Sequence, residues 1–180
     1  MMAATWFEEL CRQHDSALLA FHDMSGTPRI RIVRDGPMLV DGLTVTRLVR
    51  DDDGAQTTQP LEPQPAQPVA LCRCGASGSM PLCDRAPPYG CFREEPQGGG
   101  PVPKPFRWDV PHPGLPGLAL KPDGPVRVAG GVPIETDRPV VAPVDRISLC
   151  RCGASRSQPV CDGSHKIVGF RDGPDPSPGT

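Results

Sequence analysis

The sequence predicts a small, mainly β fold with little regular structure, built from two copies of one unit and preceded by a helix. Three observations predict it. The 25 prolines and 20 glycines make up a quarter of the 180 residues, which leaves room for few long helices. The fourteen residues from Leu71 to Asp84 return 78 residues later as Leu149 to Asp162, identical except at 78/156, 80/158 and 82/160. Short alternating runs broken by glycine and proline precede both copies: Ile30-Arg-Ile-Val before Gly36-Pro37-Met38-Leu39, and Val126-Arg-Val before Gly131-Val-Pro-Ile134.

Taken in order, residues 4–24 place Trp6, Phe7, Leu10, Ala17, Leu18 and Phe21 on one helical face, and Ser25-Gly26-Thr27-Pro28 ends the pattern. Cys11, His14 and His22 lie on or near that helix and are read as structural rather than ligating. Residues 29–47 alternate around a Gly-Pro break and predict two or three short strands. Residues 51–69, rich in Asp, Gln and Pro, read as a loop with no fold of its own. Residues 93–124 read as a loop-like connector in which Phe106, Trp108, Leu115, Leu118 and Leu120 pack across the domain, with His112 exposed between prolines. Residues 133–148 predict a strand pair leading into the second copy, and Lys166-Ile-Val-Gly-Phe170 an apolar cover after it. The divisions are therefore an N-terminal helix at 1–27, unit one at 28–95, a connector at 96–121 and unit two at 122–175.

Composition narrows the function classes. Net charge near −2 gives no footprint for nucleic acid. No apolar run approaches membrane-spanning length, and the N-terminus lacks the features of a secretory or organelle signal, so a cytoplasmic location is expected. Apolar content is modest and aromatics are scarce, a thin core that bound metal would reinforce. Six of the eight cysteines fall in Cys-x-Cys…Cys sets, which points to metal rather than disulfides. No nucleophile triad, carboxylate pair or phosphate loop is legible, and no enzyme activity is expected.

The chemistry-bearing stretch is Leu149 to His165. It offers Cys150, Cys152, Cys161 and His165 within sixteen residues. Cys161 and His165 are four apart, so one helical turn puts both on the same face. Asp162 is suited to accept the free amides that open such a turn, and Pro159 fixes the approach. In Cys150-Arg-Cys152, alternate residues of an extended segment point the same way. Structural zinc usually uses C-x2-4-C knuckles. A Cys-x-Cys arm with a Cys-x3-His arm suits a two-iron cluster, in which histidine can replace cysteine on one iron. A zinc knuckle remains the alternative.

The pattern Cys-x-Cys-x2-Ser-x3-Pro-x-Cys-Asp-Gly-Ser-His resembles the signature of the CDGSH iron–sulfur family, filled at Cys150, Cys152, Ser155, Pro159, Cys161, Asp162, Gly163, Ser164 and His165. The resemblance implies a [2Fe-2S] cluster held by three Cys and one His in a small β-rich fold. It also implies work as an electron or cluster carrier, often as a dimer with two clusters. The tandem copies then form a pseudo-dimer within one chain, a monomer with an internal pseudo-two-fold axis. The first copy departs from the signature. It keeps Cys72, Cys74 and Cys83, but Pro87 stands where the histidine should be. Cys91 is the nearest replacement, since Pro87-Pro88 and Tyr89-Gly90 allow the chain to turn back. Another donor such as Asp84 or a distant histidine, or a site without a cluster, stays open; so does Cys91 as a small apolar residue beside Phe92.

Two [2Fe-2S] clusters are thus expected, acting in one-electron transfer with a redox or cluster-acceptor protein. The alternatives are cluster storage and transfer, and a zinc-stabilised interaction module. Neutral imidazole removes one negative charge from an iron and takes a proton in acid, so His165 is both the tuning ligand and the weak point. Arg73 and Arg151, each between two cysteines, either offset cluster charge, dock an acidic partner or are simply solvated.

Overall fold

In the computed structural model, the described residues are 27–50, 53, 56–62, 68–84, 92–94, 117–136 and 146–173. The expected N-terminal helix, with Cys11, His14 and His22, lies outside them, as do Cys91 and His112. Nine strands are described: β1 Arg29–Ile32, β2 Met38–Asp41, β3 Val45–Arg50, β4 Gln56–Pro60, β5 Val69–Leu71, β6 Gly117–Leu120, β7 Val126–Ala129, β8 Ile134–Glu135 and β9 Arg146–Leu149. One helical turn, α1, spans Ser164–Ile167.

The duplication is visible in the pairing. Strands β1 and β2 form an antiparallel hairpin, and β5 pairs antiparallel to β2 on its way into the first Cys-x-Cys. Strands β6, β7 and β9 repeat that arrangement before the second. The register matches: Met38 faces Leu71 as Val126 faces Leu149. The strand corresponding to β1 is therefore β6, not the Val126-Arg-Val run that sequence similarity pairs with Ile30-Arg-Ile-Val. That run is β7, the counterpart of β2.

The remaining strands cross between units. After its hairpin, unit one sends β3 to lie parallel to β6, and unit two sends β8 to lie parallel to β1. The result is two sheets, ordered β5-β2-β1-β8 and β4-β3-β6-β7-β9: the first takes β8 from unit two, and the second takes β3 and β4 from unit one. Inward side chains of both sheets, among them Ile30, Met38, Val40, Val45, Leu71, Leu118, Leu120, Val126 and Leu149, merge into a single buried core. Strand exchange lets two thin halves share one core.

Three expectations are corrected. The segment 51–69 is not all loop, because β4 runs antiparallel to β3 from Gln56 to Pro60. It is polar because it is a sheet edge, and an edge tolerates the terminal proline. Within the expected connector, Gly117–Leu120 is the core strand β6, with Leu118 and Leu120 buried. Residues 133–148 do contain two strands, but they do not pair with each other: β8 joins β1 and β9 joins β7.

Candidate metal centre

Each strand leading into a Cys-x-Cys ends in the same small knot. In unit two, the Cys150 amide donates to the Pro159 carbonyl at 2.8 Å and the Cys161 amide to the Ser148 carbonyl at 2.8 Å. In unit one, Cys72 donates to Pro81 at 2.9 Å and Cys83 to Ala70 at 2.8 Å. The loop is thereby folded back so that its third cysteine lies opposite the residue two before its first. The hydroxyl of Ser155 donates to the Val160 carbonyl and accepts from the Ser157 amide, at 2.6 and 3.1 Å. Ser77 does the same with Leu82 and Ser79. Asp162 accepts from the amides of Arg156 and Ser164, both at 2.9 Å, which opens the turn carrying the histidine. Gly163, at φ 94, supplies the left-handed step into α1 that a side chain would strain.

The donors come in pairs. The Cys150 and Cys152 sulfurs are 3.6 Å apart, and the Cys161 sulfur is 3.3 Å from Nδ1 of His165. In unit one the Cys72 and Cys74 sulfurs are 3.5 Å apart. Two sulfurs at tetrahedral positions ~2.3 Å from one metal stand about 3.8 Å apart, so each pair fits half of a metal's coordination shell. Among the described residues no three such donors close on one point, and none of the six described cysteines is in a disulfide.

Electrostatics prepares these groups for a cation. Within each arm two sulfurs share one proton. A hydrogen bond from Cys74 draws Cys72 down to about 5, and one from Cys152 draws Cys150 down to about 6, while Cys74 and Cys152 are pushed up. Burial pushes the Cys161 thiol up, so it stays protonated unless a bound metal displaces the proton to solvent. Burial, helped by Lys121 and Lys166, holds the His165 imidazole below its ordinary 6.5 and so neutral, the form that can ligate.

A comparison with protein-family models matches the description iron-binding zinc finger, CDGSH type, at residues 35–86 and again at 123–166, together more than half of the chain. The chain belongs to this family, in tandem. No curated protein and no solved structure matches it. The CDGSH units meet at their Cys-x-Cys arms: Cys74 and Cys152 form an antiparallel bridge across the pseudo-two-fold axis. The approach is close enough that a Cβ on Gly75 would lie 2.8 Å from the Cys152 carbonyl oxygen, and one on Gly153 2.7 Å from that of Cys74.

The sequence reading singled out Arg73 and Arg151 but missed their burial and their partners. Arg73 and Arg151 are not solvated but buried, at 1% exposure each. Arg73 pairs with Glu94 and donates to the Val33 carbonyl at 2.9 Å. Arg151 pairs with Asp172 at 2.5 Å and donates to the carbonyls of Gly124 and Lys121 at 2.8 Å each. Phe92 and Phe170 lie under the two guanidiniums, at 5.4 and 5.5 Å. The available signal was Phe92-Arg93-Glu94 recurring as Phe170-Arg171-Asp172, again 78 residues on. That register equates Pro87 with His165 and Cys91 with Gly169. The apolar cover expected after His165 is Phe170 alone, since Ile167 and Val168 are 87% and 54% exposed.

Proposed function

We propose that the chain is a one-electron carrier with a [2Fe-2S] centre in unit two, held by Cys150, Cys152, Cys161 and Nδ1 of His165. The pairing of donors carries this reading: two thiolates on one side and a thiolate with an imidazole on the other suit two metals sharing a site. When bound, the cluster supplies one-electron chemistry. The protein's own part is to hold the donors, keep His165 neutral and bury Cys150 from water.

A second centre in unit one, on Cys72, Cys74 and Cys83 with Cys91 as fourth ligand, belongs to the same proposal. The 3.5 Å spacing of Cys72 and Cys74 and the repeated loop geometry support it. The bridge between Cys74 and Cys152 sets the inner ligands of both units side by side, an arrangement suited to passing electrons between unlike centres.

The test is reduction and reoxidation of the loaded chain in the presence of an apo-ferredoxin. A carrier bleaches, recovers its colour and keeps its iron. Loss of iron and sulfide to the apo-ferredoxin would instead make it a cluster-transfer protein.

A further inference from the structure

Gln158 occupies one of three positions at which the repeated loops differ, and it touches both units. Its amide nitrogen lies 3.3 Å from the Cys150 sulfur, and its amide oxygen accepts from Arg73 of unit one at 3.1 Å. The amide is buried, and its orientation is forced. A guanidinium has only donors, so the oxygen must face Arg73 and the N–H the sulfur. Arg73 is itself fixed by Glu94 and by the carbonyls of Val33 and Gly36.

Unit one lacks the counterpart. Its residue is Met80, which has no amide to offer. In keeping with that, Nη1 of Arg151, buried, has no hydrogen-bond partner among the described residues.

We propose that Gln158 is a positioning residue that raises the reduction potential of the unit-two centre and makes that increment depend on unit one. A hydrogen bond to a ligating sulfur stabilises the extra negative charge gained when the centre takes one electron from a reductant, and hydrogen bonds to sulfur are among the known determinants of potential. Because Arg73 holds the amide, the donor stays aimed without rearranging. The two units are therefore unlike for a second reason besides the Pro87/His165 exchange.

This inference rests on the proposed ligation of iron and sulfide by Cys150. The experiment compares wild type, Gln158→Met and Gln158→Glu as full chains, by iron and sulfide content and by dithionite titration followed in the visible spectrum. Glutamate keeps an acceptor for Arg73 but has no N–H for the sulfur. We expect all three to load, with the reduction equilibrium of the histidine-ligated centre shifted about tenfold toward the oxidised form in Gln158→Met, which is ~59 mV for one electron. The shift should be at least as large in Gln158→Glu. Unchanged potentials in the loaded variants would overturn the role of Gln158 while leaving the cluster in place. So would failure of both variants to load, because losing one hydrogen bond should leave the ligands intact. A wild-type chain without sulfide would instead overturn the underlying cluster reading.

Discussion

His165 is one of the residues by which the two units differ, since Pro87 stands at its place in unit one. Its Nδ1 faces the Cys161 sulfur at 3.3 Å, and its pKa is pushed below 6.5 by burial first and then by Lys121 and Lys166. A depressed folded pKa keeps the imidazole neutral on acidification until pH falls below its ordinary value. Colour should therefore survive at pH 6.5 and bleach only in more acid solution; bleaching that begins above that pH would contradict this account. In His165→Cys the bleaching should move to lower pH.

Asp172 offers a second test at the same scale. Burial opposes its charge, but Arg151 and the Asp123 amide outweigh burial and hold its carboxyl below the usual 3.8. Its contribution is thus present above that value and is lost as pH falls through the folded one. Asp172→Asn strands a buried guanidinium and should cost about 3–5 kcal/mol in denaturant unfolding; a loss under 1 kcal/mol would mean that the pair is solvated. The donor pairs of unit two, Cys150 with Cys152 and Cys161 with His165, were legible because their spacing is local. The burial of Arg151 was not, because its partners Asp172, Gly124 and Lys121 meet it only in the folded chain.

Among the elements, the loop between the second and third cysteines is where the copies diverge in effect. Met80→Gln would restore to unit one the amide that unit two uses, giving the buried Nη1 of Arg151 an acceptor. Meeting one buried donor should raise stability by about 1 kcal/mol, read as a higher denaturant midpoint; no change would mean the amide points elsewhere. Elements were read well where they alternate. The three strands from Arg29 to Arg50 follow the pattern of the sequence, and all have buried members. They were misread where tertiary pairing overrides local texture. Strand β4 looks like a polar linker because only one of its edges is paired. Strand β6 is short, but Leu118, Ala119 and Leu120 are buried because β3 and β7 flank it.

At the scale of the molecule, the duplicated sequence foretold an internal pair but not strand exchange. Pairing partners across a pseudo-two-fold axis depend on register between distant segments, which no local pattern contains. The exchange has a mechanical consequence: neither unit can leave without breaking a sheet of the other. Unfolding should therefore be a single transition by fluorescence and circular dichroism. Gly75 and Gly153 sit at the axis with φ of 78° and 74°. Gly153→Ala would add left-handed strain and drive a Cβ into the Cys74 carbonyl, costing at least ~2 kcal/mol and loosening both centres together. Loss of iron from unit two alone would show that the sites are independent.

The central claim is that this duplicated scaffold holds iron–sulfur centres. The most direct measurement is a visible spectrum with iron, sulfide and zinc counts on anaerobically purified chain, repeated for His165→Ala. The account predicts a coloured protein with about four irons per chain and matching sulfide, two irons for each two-iron centre, and loss of about half of both in the variant. Zinc without sulfide in a colourless protein would contradict it.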